Sequence, residues 1–237
     1  MANLVGQFLP DVTLPCTILP PVELNKLAGL IVVFIYPWTG KPDHPNPESW
    51  DNIPGAHGST PQCRAYSNCY DEFCALGVKC FGLSQLNLEW QKDFAQRNNL
   101  VVPLLSDEAG SFARGLDLQY IVTGNKSYLK RRTLIALDQK IILDRTDVSP
   151  PEADADFILA HLKTNGLLKT QRISFLLGQR DLIRRVAPPS PPKVEKVDRA
   201  QPETDEVPLV TNDSRDKANT TSSQSLLDAK LPESNPT

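Results

Sequence analysis

The chain holds no Cys-x-x-Cys pair. Its five cysteines, Cys16, Cys63, Cys69, Cys74 and Cys80, are an odd number, and four of them fall within 18 residues. The missing pair weighs against a zinc site and against a dithiol oxidoreductase. Histidine is scarce, three in all. His44 and His57 share a loop with Asp43 and Asp51 but lack ligand spacing, so solvated histidines are expected there and no metal. No apolar run approaches the ~20 residues that span a bilayer. No basic segment followed by a long apolar one opens the sequence, so a membrane is not the expected partner and no secretory signal is read. A surplus of positive charge is absent too. The net charge is -3 and the pI about 5.7, which excludes a whole-chain field for nucleic acid. The expectation is a cytoplasmic protein whose cysteines stay thiols for chemistry or packing.

What is present reads as an α/β chain. Leu30-Ile31-Val32-Val33-Phe34-Ile35-Tyr36 is a near-continuous apolar run, the pattern of a strand buried on both faces. Residues 38–58 carry four prolines and form a long loop, a length that is usually functional. An amphipathic helix is expected over 61–76, capped by Thr60 with Pro61 at its first position. A strand follows at 78–84, a helix at 87–98, a short strand at 101–107 and a small helix at about 108–115. Residues 131–137 and 140–144 form a hairpin across Asp138-Gln139, and 152–163 a closing helix. This order predicts a central mixed sheet flanked by helices, a thioredoxin-like fold, over residues 1–165. Residues 166–186 are read as an appended basic amphipathic helix. Residues 187–237 contain eight prolines and neither glycine nor an aromatic side chain, a composition that predicts a disordered tail.

The chemistry centres on Gly58-Ser59-Thr60-Pro61-Gln62-Cys63-Arg64. A cysteine in the first turn of a helix lies among free N–H groups at the positive end of the dipole, which favours the nucleophilic thiolate. Together with Gly6-Gln7-Phe8-Leu9-Pro10-Asp11, Phe34-Ile35-Tyr36-Pro37, Gly82-Leu83-Ser84, Pro103-Leu104-Leu105-Ser106-Asp107 and Arg131-Arg132-Thr133-Leu134, this segment resembles the peroxiredoxins over roughly residues 5–165. The resemblance is to the AhpC/TSA-type, bacterioferritin-comigratory branch. It implies a thiol peroxidase that reduces hydrogen peroxide or organic hydroperoxides with no cofactor and is recycled by a thioredoxin-like dithiol. It assigns Cys63 to attack on the peroxide, Thr60 to hydrogen bonding of the reacting oxygens, and Arg131 to holding the thiolate and polarising the O–O bond.

The pattern departs from the family in two places. The family's proline and threonine stand four apart, whereas Pro37 and Thr60 are separated by the long loop. A long-loop subgroup carries its reactive cysteine immediately before Thr-Pro-Gln, where this chain has Ser59. That register makes Cys63 a displaced nucleophile or a leftover partner thiol, and the alternative function a diverged binding or redox-sensing module. Cys69 is the candidate resolving thiol, although six residues of helix rise about 9 Å, more than a disulfide spans. Strand alternation lets only one of Arg131 and Arg132 face the site. Trp38 and Trp50 pack the loop onto the reactive face or onto an interface such as that of a homodimer.

Overall fold

A computed structural model describes residues 3–169. Strands β1 (Leu30–Ile35), β2 (Lys79–Ser84) and β3 (Leu104–Ser106) run parallel, and β6 (Arg132–Leu137) and β7 (Lys140–Arg145) add antiparallel, in the order β3-β2-β1-β6-β7. β1 is central and buried along its whole length. Its alternate residues therefore feed two cores, which is why the run is apolar without a break. Ile31, Val33 and Ile35 pack with Leu14, Phe112 and Leu134 on one face. Val32 and Phe34 pack with Tyr66, Phe73, Phe94 and Ile158 on the other. The second layer consists of α1 (Ser59–Asn68), α2 (Tyr70–Ala75), α3 (Leu88–Arg97) and α5 (Asp154–Thr164); α4 (Ser111–Gly115) contributes Phe112 to the first. This is the thioredoxin-like arrangement the element order predicts.

The sheet's edges are both covered by the N-terminal segment. The Gly6 amide donates to Ile141 O at 2.8 Å and the Ile141 amide returns to Gln7 O at 2.8 Å, so residues 6–9 lie along β7. Thr17 N donates to Leu104 O at 3.0 Å and Ser106 N to Pro15 O at 2.9 Å, so residues 15–17 lie along β3. The backbone groups that an edge strand would leave open are thereby paired.

Two differences from the sequence reading matter. The helix expected over 61–76 is two helices that meet at Cys69 (φ -93, ψ 3), and the first begins at Ser59. Its N-cap is Gly58 at φ 99, where a Cβ would lie 2.6 Å from Pro151 Cγ, so a side chain is excluded by both backbone and neighbour. A hairpin of β4 (Tyr120–Thr123) and β5 (Lys126–Leu129) was not expected. It turns on Gly124-Asn125, both at positive φ, a two-residue signal present in the sequence. The 38–58 loop is packed down by its tryptophans, against each other and against Tyr128 of β5. Trp50 is buried and edge-on to Trp38 and Tyr128, at 5.7 and 4.9 Å between ring centroids. Nearly all of the 166–186 helix and the whole 187–237 tail lie outside the described residues.

Candidate active site

The loop delivers the chain to the N-terminus of α1, opposite the start of β6. Arg131 and Arg132 precede and open that strand, and their side chains leave on opposite faces, as strand alternation requires. Neither is solvated; they are 8% and 5% exposed. Arg132 pairs with Asp144 at 3.1 Å on the far face. Arg131 reaches over α1. Its Nη2 donates to His57 O at 2.7 Å and lies 3.4 Å from Ser59 Oγ and 3.5 Å from Gly55 O, and its Nη1 donates to Gln62 Oε1. Every one of these acceptors is neutral. Burial pushes the guanidinium pKa down to about 10, the expected response of a desolvated cation without a carboxylate against it. Its Nε is buried and makes no hydrogen bond.

Of the two candidates for the reactive position, Ser59 and not Cys63 lies within hydrogen-bond reach of Arg131. Because α1 starts at Ser59, Cys63 falls in its second turn, beyond the free N–H groups of the first. It points into the apolar core and is fully buried. Burial pushes the thiol up, outweighing the Arg131 charge and a backbone hydrogen bond that pull it down. In this conformation Cys63 is a protonated thiol. Thr60 is half-buried at the same helix end. Cys69 stands at the joint between α1 and α2, half-buried, with Sγ 3.7 Å from Asp156 Oδ1. Burial and then Asp156 raise its pKa. All five cysteines are free.

A raised thiol pKa has a consequence for stability. Folded Cys63 keeps its proton where the unfolded chain releases it, above about pH 8.5. The contribution is therefore whole below that pH and is lost as pH rises toward the folded value. The urea midpoint is expected to fall between pH 8 and pH 10, and Cys63→Ala to flatten that slope, whatever its effect at pH 7.

A network that the sequence reading missed lies beneath the site. Asp154, the first residue of α5, is fully buried. Its Oδ2 accepts from Tyr66 OH at 2.7 Å, Thr133 Oγ1 at 2.6 Å and Gln62 Nε2 at 3.2 Å. Its Oδ1 pairs with Arg145 Nε at 3.1 Å. One carboxylate thus ties α1, β6, β7 and α5 together. The sequence held a signal for it, because Asp154 falls in register with Ile158 and Leu162 on an apolar helix face. Elsewhere His57 pairs with Asp51 at 2.9 Å in the loop. Among the described residues no cluster of His, Cys, Asp and Glu is placed to hold a metal ion, and no helix is long and apolar enough to cross a membrane.

A mixed five-stranded sheet with a helix N-terminus facing a buried arginine defines a thioredoxin-like protein with a candidate site at that helix end. The family model described as Redoxin matches residues 4–159, and the chain belongs to that family. Solved structures share the fold. Peroxidoxin BcpB from Mycobacterium tuberculosis is 23% identical, with a TM-score of 0.55 over 68% of this chain and 97% of that one. The bacterioferritin comigratory protein of Xanthomonas campestris is 21% identical, with a TM-score of 0.53 over 69% and 99%. PrxQ from Xylella fastidiosa, solved as a cysteine-to-serine mutant, is 16% identical, with a TM-score of 0.58 over 70% and 99%. No curated protein matches the chain.

Proposed function

We propose that this redoxin is a thiol-dependent peroxidase acting on hydrogen peroxide or organic hydroperoxides. The observation that carries the reading is Arg131: a buried cation with only neutral acceptors, held over the N-terminus of α1. Such a group supplies what a thiolate and a breaking O–O bond need, positive potential in a site shielded from water. The Xanthomonas relative is described by its alkyl peroxide reduction activity, which favours including organic hydroperoxides.

Cys63 is the attacking sulfur in this proposal. Since it is sealed and protonated in the closed helix, it reacts from a state in which the first turn of α1 opens about Gly58. The thiolate attacks one peroxide oxygen, the O–O bond breaks, and sulfur is oxidised to sulfenic acid. The other oxygen leaves as water or an alcohol after taking up a proton. Thr60 and Arg131 bind the oxygens, and a second thiol, Cys69 or one on a partner, condenses with the sulfenic acid. A thioredoxin-like dithiol in a reducing cytoplasm then restores the thiol. No metal or organic cofactor enters these steps.

A second reading rests on Ser59. Its hydroxyl occupies the position against Arg131, and a hydroxyl does not reduce a peroxide, so the site would serve a non-peroxidase module. Exposure of the reduced protein to hydrogen peroxide and to an alkyl hydroperoxide, with a dimedone-type trap and peptide mapping, separates the two. Labelling selective for Cys63, lost in Cys63→Ser, is the expected result. Slow labelling spread over all five cysteines establishes the module instead.

A further inference from the structure

We propose that Gln62 is a positioning residue that fixes the guanidinium of Arg131, with Asp154 as its anchor. This rests on the reading of Arg131 as the cation of the reactive site.

The Gln62 amide bridges two groups of opposite demand. Its Oε1 accepts from Arg131 Nη1, and its Nε2 donates to Asp154 Oδ2 at 3.2 Å. Turned over, the amide would set an NH2 group against a guanidinium and an oxygen against a carboxylate, so one orientation is imposed. Both ends of the bridge are buried. Asp154 is itself held from three further directions, by Tyr66, Thr133 and Arg145, and so cannot follow a displaced amide. Of the remaining Arg131 contacts, two are to loop carbonyls and one is the long approach to Ser59. Gln62 is therefore the side chain that ties the guanidinium to the core of the domain.

The interposed amide also has an electrostatic effect. A carboxylate directly against Arg131 would neutralise much of the field that the site directs at the helix end. An amide transmits the positional constraint of Asp154 without contributing a net charge. Arg131 is held in place without a carboxylate in contact, and Asp154 acts on it only across the amide, as a smaller effect than burial.

The test uses the full chain carrying Ser59→Cys, which puts a reporter thiol against Arg131. Its apparent pKa is read from the pH dependence of alkylation by a small haloacetamide, with the modified site resolved by mass spectrometry. Adding Arg131→Met is expected to raise that pKa by one to three pH units. Adding Gln62→Leu, or Gln62→Met should the leucine variant not fold, is expected to raise it by about one unit. Adding Tyr66→Phe removes another donor to the same carboxylate oxygen; it is expected to lower the melting temperature and leave the thiol pKa in place. If Arg131→Met leaves the pKa unmoved, the reading of Arg131 fails and the inference falls with it. A shift with Arg131→Met but none with either Gln62 variant overturns the inference alone, as does a Tyr66→Phe shift equal to that of Gln62→Leu.

Discussion

Ser59→Cys is expected to consume hydrogen peroxide on the order of 100-fold faster than the unaltered chain. The native thiol of α1 is buried in an apolar core and held protonated, so it reacts only from an opened helix. A thiol at residue 59 occupies the first turn instead, with its sulfur near Arg131 Nη2 and free N–H groups ahead of it. A helix N-terminus and an adjacent cation lower thiol pKa values into the range of about 3.5–7.5. Thiolate then dominates at neutral pH; residue 59 is itself buried, but at the helix end beside Arg131 rather than in the apolar core. Stopped-flow mixing with peroxide checks the rate. Arg131→Met in the same background is expected to reverse most of the gain, while Cys63→Ala is expected to preserve it. An unchanged rate would mean that the helix end no longer admits peroxide at all.

Asp154→Ala is expected to produce the largest loss of stability among single substitutions at the site, about 3–5 kcal/mol. The variant leaves Arg145 without its ion pair and removes the acceptor used by Tyr66, Thr133 and Gln62. Arg145 is partly exposed and stacked 3.8 Å over the Phe157 ring, so water and the ring soften its share and favour the lower end of that range. Asp154→Asn keeps acceptor capacity and is expected to cost less. Urea unfolding at pH 7 measures both. A loss below about 1 kcal/mol for the alanine variant would show that the network is dispensable.

The parts of this fold that were legible in the sequence are those where local pattern and burial agree. β1 is buried on both faces and reads as one apolar run. The β6–β7 hairpin turns on Asp138-Gln139, and the helix stops at Ala75–Leu76 ahead of Gly77. The start of α1 was not legible. Proline is tolerated throughout a first turn, because no amide there is used within the helix, and so Pro61 does not distinguish a cap at Thr60 from one at Gly58. That choice is made by Gly58 at φ 99 packed on Pro151, a contact between residues remote in sequence. Two residues of register move Cys63 from the first turn to the second, and from the helix end to the core. Ser59 was visible as an alternative for the reactive position, but its approach to Arg131 was not. Asp154 was overlooked because a lone carboxylate in a helix reads as solvated until its four partners, from three other elements, are assembled around it.

The covering of both sheet edges by residues 6–17 sets the order in which this domain can be completed. These residues leave a ribosome before the strands they cover, and the partners of residues 6–9 on β7, around Gln139 and Ile141, emerge late in the domain. Residues 15–17 can dock once β3 is available, but residues 6–9 remain uncommitted while the parallel strands assemble, and their docking closes a loop of more than 130 residues. Closure costs grow only slowly with loop length, so the final state loses little by this arrangement. Assembly is slower for it, because contacts distant in sequence form late. A nascent chain stalled before residue 139 would hold β1 and β2 with one edge still unsealed, the stage at which a chaperone has something to protect.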